Sequence, residues 1–136
     1  MRIFLHLLVL ISLAATPVSA TAQESDGTNS FDPSFTHVVY FWLNNPDDLD
    51  QRQQFETSLR KLFRNSLYTK TNFLGSPPKA TREVVDDTFT YAMMVTFESA
   101  SAQDAYQKEQ AHLDFIAEAG HLLKKYVVYD AVGLKE

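Results

Sequence analysis

Nine residues starting at Phe35 constrain this chain more than any other stretch. Within them Val38-Val39-Tyr40-Phe41-Trp42-Leu43 is an unbroken apolar run rich in β-branched and aromatic side chains, which reads as a strand. Strand side chains alternate between faces, so His37, Val39 and Phe41 point one way and Val38, Tyr40 and Trp42 the other. Both faces are greasy. A sheet with one wet side would not tolerate this, so both sides need cover.

The following pattern supplies the first layer of cover. Asn45-Pro46-Asp47-Asp48 reads as a helix start, with Asn45 as cap and Pro46 at the first helical position. Phe55, Leu59, Leu62 and Phe63 follow at helical spacing, with Arg52, Glu56, Arg60 and Lys61 predicted on the outer side. Tyr68 to Leu74 reads as a second strand closed by Gly75-Ser76-Pro77-Pro78, and Tyr91 to Phe97 as a third. Ser99 or Ser101 opens a helical region running past His112, and Tyr126 to Val132 forms a fourth strand. The order β-α-β-β-α-β predicts a ferredoxin-like α+β fold: a four-stranded antiparallel sheet with its helices on one face. The other face then calls for a second sheet, most simply that of a second copy, and predicts a homodimer closing into an α+β barrel.

Upstream of this domain, Met1-Arg2 precedes an apolar stretch from Ile3 to Ala15 and a small-residue end, Ala20-Thr21-Ala22. These are the parts of a secretory signal peptide, expected over residues 1–22 with cleavage after Ala22 or alternatively Ala20, and the apolar stretch is short of the ~20 residues a membrane span needs. Residues 23–34 are polar and read as a flexible lead-in to a domain at 35–134. The mature protein is therefore expected in a periplasm or outside the cell.

Composition narrows the chemistry. Twelve Lys and Arg against 17 Asp and Glu give a net charge of −5, and no polybasic helix is present, so neither nucleic acid nor a membrane surface is an expected partner of the mature domain. The absence of cysteine removes thiolate catalysis, disulfides and cysteine zinc sites. No glycine-rich phosphate loop, serine elbow or His-Glu-x-x-His helix occurs, and neither a metal nor another cofactor is implied.

In their order and spacing several segments resemble the stress-responsive A/B barrel family, the Dabb domains. The carriers are His37-Val38-Val39-Tyr40-Phe41, Val95-Thr96-Phe97-Glu98, Asp104-Ala105-Tyr106, Ala111-His112 and Val127-Val128-Tyr129-Asp130. Arg82-Glu83-Val84-Val85-Asp86 is similar to a stretch of exported members. The resemblance implies dimeric α+β barrels. In a plant member, a polyketide cyclase, a tyrosine and a histidine spaced like Tyr106 and His112 perform acid–base work, and a histidine at the His37 position lines the same pocket. Family members commonly carry His-Pro-x-His where this chain reads Glu109-Gln110-Ala111-His112. The cyclase's pocket tyrosine on the first helix aligns with Ser58, so the substrate does not carry over.

His112 and Tyr106 are thus the candidate acid–base pair, with His37, Val39 and Phe41 as ligand-lining candidates. On one continuous helix six residues turn through about 600°, leaving the two side chains about 120° apart, so convergence requires a break between them. Without it they are hydrogen-bonded core residues, and His37 on its apolar face is a satisfied core histidine. His121, nine residues beyond His112, is expected on the opposite helical face, which also argues against a two-histidine metal site. Lys124-Lys125 and Asp86-Asp87 read as solvated charges, and Gly120 as a helix end. Four readings follow: an exported protein binding a small apolar or aromatic molecule between helices and sheet; a lyase, isomerase or cyclase acting on a carbonyl compound; a haem-binding or monooxygenase-like dimeric barrel; and a structural protein with a filled core.

Overall fold

The computed structural model describes residues 31–32 and 34–134; the expected signal peptide at 1–22 and almost all of the lead-in at 23–34 lie outside the described residues. The element order is β1 (Phe35–Leu43), α1 (Leu49–Asn65), β2 (Asn72–Gly75), β3 (Tyr91–Phe97), α2 (Ala100–Tyr106), α3 (Gln110–Ala119), a single 3-10 turn (Gly120–Leu122) and β4 (Leu123–Val132). The strands form one antiparallel sheet in the order β2-β3-β1-β4. This is the ferredoxin-like arrangement.

Strand alternation builds the core. In β1 every second side chain is buried, Phe35 through Leu43, and in β3 Tyr91, Met93, Val95 and Phe97 join them on the helix-facing side. The helices contribute Phe55, Leu59, Leu62 and Phe115. Aromatic edges hold these layers in register: Phe41 meets Phe55 edge-on at 5.1 Å and Phe115 at 6.3 Å, while Phe55 stacks on Tyr91 at 5.1 Å. Glu56, expected on the outer side, instead accepts a 2.5 Å hydrogen bond from the Tyr91 hydroxyl, and Arg52 sits over the same ring.

Four boundaries differ from the sequence expectation. Helix α1 is capped by Asp48 rather than Asn45: the Asp48 carboxylate accepts from the backbone N–H groups of Asp50 and Gln51, while Asn45 and Asp48 close a turn containing Pro46. β2 begins at Asn72 rather than Tyr68, because Ser66 Oγ accepts from the N–H groups of Tyr68 and Thr69 and curls that segment into a turn. β4 begins at Leu123, ahead of Tyr126. The second helical region is two helices, α2 and α3, with Ser99 capping the first.

The second face of the sheet is partly covered from within the chain. Phe89, in the β2–β3 connection, packs against Tyr40 at 4.8 Å and Trp42 at 6.5 Å. Beyond it Phe73 and Tyr129 remain more than half exposed on the same face as Met94 and Val38.

Candidate functional site

The helix break sets the site. α2 ends at Tyr106, and the next residues form tight turns: Lys108 N–H donates to Ala105 O and Glu109 N–H to Tyr106 O. α3 then restarts from Glu109, whose backbone is extended and whose carbonyl accepts from His112 and Leu113. No proline is involved. Glu109 Oε2 accepts from the Leu67 N–H and ties the break to the end of α1. The result brings the Tyr106 and His112 rings to 4.7 Å, and His37 approaches Tyr106 at 6.0 Å from the sheet side. All three candidates surround one space.

That space is a cavity of about 830 Å³ between α3, the 3-10 turn and the β1–β4 half of the sheet. It exists because β4 extends past the helix layer. Tyr126 and Val128, directly opposite Phe41 and Val39 in the ladder, face the helices yet are 63% and 40% exposed. Val39, Phe41 and Phe115 line the cavity.

The polar groups are held in defined states. His112 Nδ1 donates to the Gln107 carbonyl at 3.2 Å, which leaves Nε2 as the ring's acceptor. Burial lowers the His112 pKa below 6.5, with the His37 charge acting the same way against the Gln107 hydrogen bond and the Glu109 carboxylate. At neutral pH His112 is therefore a free base. Tyr106 is almost fully buried, and burial aided by the Glu109 carboxylate raises its phenol above the usual 10, so it remains a proton donor. The Tyr106 side chain lines the cavity, and among the described residues the buried side-chain atom without a hydrogen-bond partner is Glu109 Oε1. His37 Nδ1 lies 2.6 Å from Asp130 Oδ1, and the carboxylate, an acceptor only, fixes the proton on Nδ1.

Four contributors escaped the sequence reading. Asp130 entered only as part of the closing family segment, yet strand register alone pairs it with His37. His121 lines the cavity rather than the opposite face, because α3 stops at Ala119 and the 3-10 turn rewinds the chain, so continuous-helix angles do not apply. Lys124 and Lys125, expected as solvated charges, are also at the cavity; Lys125 carries its ammonium over the Trp42 ring at 4.4 Å on the far side. Ser58 is buried and donates to Glu118 Oε2, belonging to an α1–α3 contact that includes Lys61. Among the described residues no group of three or more His, Cys, Asp or Glu side chains is placed to hold a metal ion, and no helix is long and apolar enough to cross a membrane.

A ferredoxin-like sheet with a histidine- and tyrosine-lined cavity under its helix layer defines an α+β barrel domain. Residues 35–132 match the Stress responsive A/B Barrel Domain, Dabb, and the chain belongs to that family. Solved structures of the same fold include a hydroxynitrile lyase from Passiflora edulis, with 21% identity and TM-score 0.65 over 77% of this chain and 98% of that one. A Dabb family protein with a ferredoxin-like fold from Mesorhizobium loti has 16% identity and TM-score 0.62 over 74% and 97%. A dimeric ferredoxin-like protein of unknown function from Thermobifida fusca has 21% identity and TM-score 0.59 over 73% and 90%. At these identities the likeness is one of fold. No curated protein matches this chain.

Proposed function

We propose that this Dabb protein is an exported homodimer that binds a small apolar or aromatic molecule in the cavity between α3 and the β1–β4 half of the sheet. The observation that carries the reading is the half-open cavity: about 830 Å³ lined by Val39, Phe41 and Phe115, with Tyr106 and His112 also at its wall. A filled structural core would leave no such space. Export rests on the Ile3–Ala15 run and the Ala20-Thr21-Ala22 end, and the dimer on the exposed apolar residues Phe73 and Tyr129 of the second sheet face. The dimeric state of the Thermobifida fusca relative agrees with it.

Binding is tested with N-phenyl-1-naphthylamine, a neutral fluorophore of suitable size. Saturable enhancement that is lost in Ile116→Trp, which fills the opening from a half-exposed position, supports the reading; enhancement unchanged by that substitution ends it.

A second reading is favoured by the 4.7 Å approach of Tyr106 to His112. A carbonyl compound whose oxygen accepts from the Tyr106 O–H would place its α-carbon proton beside His112 Nε2. Transfer of that proton to His112 leaves the electron pair in the C–C bond of an enolate, its oxygen stabilised by the Tyr106 hydrogen bond. Return of the proton at another carbon gives isomerisation; attack of the enolate on a second carbonyl gives ring closure. The assay is deuterium uptake at the α-carbon of small aryl ketones, followed by NMR. Uptake that persists undiminished in both His112→Ala and Tyr106→Phe rules the reading out.

A further inference from the structure

The cavity wall is free of acidic side chains although the protein as a whole is acidic. The chain carries 17 Asp and Glu against 12 Lys and Arg, yet none of the residues lining the cavity is acidic, while His37, His112, His121 and Lys124 all are part of its wall. Two carboxylates adjoin it: Asp130 is engaged by His37 at 2.6 Å, and Glu109, which acts on Tyr106 and His112, accepts from the Leu67 N–H through Oε2.

Lys124 is placed there by a register shift. The β1–β4 ladder pairs Trp42 with Lys125 and then Leu43 with Leu123, so Lys124 is the extra residue of a bulge and has no partner in β1. Bulges re-aim side chains. Among the described residues the Lys124 ammonium forms no ion pair, whereas the adjacent Lys125 is spent on the Trp42 ring. His121, one turn earlier in the chain, is exposed beside it at the cavity wall. An apolar floor with an unpaired cation at its rim fits a molecule with an apolar body and one negative end.

Resting on the reading of this cavity as a binding site, we propose that its ligands are small aromatic or aliphatic acids, the hydrocarbon body on Val39, Phe41 and Phe115 and the carboxylate at the rim against Lys124 and His121.

The test uses a pair of probes differing in charge alone, 1-naphthylacetic acid and 1-naphthylacetamide, titrated calorimetrically at neutral pH and low ionic strength. The acid is expected to bind about threefold or more tighter than the amide, the scale of one partly exposed ion pair. Lys124→Gln should erase that difference, and Lys124→Arg should keep it. Equal affinities for the two probes in the unaltered protein, or a preference that survives Lys124→Gln, overturns the assignment while leaving the cavity a binding site. Failure of both probes to bind at millimolar concentration removes the binding site and this assignment together.

Discussion

Tyr106 and His112 stand ring against ring at 4.7 Å although a continuous helix would hold them about 120° apart. The contact is produced by a chain break, in which Tyr106 closes α2, Glu109 starts α3 and only tight turns lie between. Gln110 is the first residue of α3, where a backbone N–H has no helical partner in any case. This is where other family members place a proline.

Gln110→Pro should therefore be tolerated and even mildly stabilising. Glu109 already has the extended backbone that a following proline demands (φ −69°, ψ 151°), and the fixed φ of proline suits a first helical position. The substitution forfeits the exposed side-chain hydrogen bond from Gln110 to Asp114. Restricting the unfolded chain offsets this with about 0.4–1 kcal/mol. Urea denaturation is the measurement; a loss above about 1 kcal/mol would contradict the position assigned to Gln110.

The pH dependence of stability should carry the signature of His112. Burial depresses its folded pKa below the 6.5 of the unfolded chain, so between those two values the unfolded state binds more protons. The stabilising contribution is complete above about pH 6.5 and is lost as pH falls through the folded value. Glu118 is held below 4.5 chiefly by its hydrogen bonds from Lys61 and Ser58, and so titrates at lower pH. Thermal midpoints taken from pH 7.5 to 5 should decline, and His112→Phe should flatten the slope. An unchanged slope would mean that His112 is not buried as described.

Much of this arrangement is legible in the sequence because it follows from periodicity. The alternation of β1 assigns His37, Val39 and Phe41 to one face, and Phe55, Leu59 and Leu62 fall at helical spacing, so the core writes itself. What is not legible depends on competition between local hydrogen bonds. Asn45 and Asp48 are both good caps, and only the folded chain shows that the Asp48 carboxylate reaches two N–H groups. Ser66 defeats the start of β2 in the same manner. The site is harder still, since the helix break has no proline to announce it. His121 and Lys124 reach the cavity through a 3-10 turn and a bulge, neither of which has a periodicity to read.

The core should respond sharply to loss of Phe55. This ring is fully buried, stacks on Tyr91 and meets both Phe41 and Phe115 edge-on, so truncation leaves a void bounded by rings on α3, β1 and β3. Phe55→Ala should cost about 3–5 kcal/mol by chemical denaturation. It should also weaken ligand binding, because Phe41 and Phe115 form the cavity floor. A cost below about 1 kcal/mol would show that the helix layer collapses freely into the gap, and that the cavity has no rigid floor.

The second sheet face provides the last test. Val38 lies opposite Met94 and Tyr129 in the ladder, at the middle of a face where Phe73 and Tyr129 are largely exposed and Phe89 covers Tyr40 and Trp42. If a second copy seats there, a charge at Val38 is buried without a partner on association and tolerated in a separate protomer, where the position is half-exposed. Sedimentation velocity at micromolar concentration should show a dimer for the unaltered protein and a monomer for Val38→Lys, with the far-ultraviolet circular dichroism of the two alike. A dimer that persists in Val38→Lys would place the contact elsewhere on the surface. A monomeric unaltered protein would leave Phe73 and Tyr129 facing water and remove the paired barrel altogether.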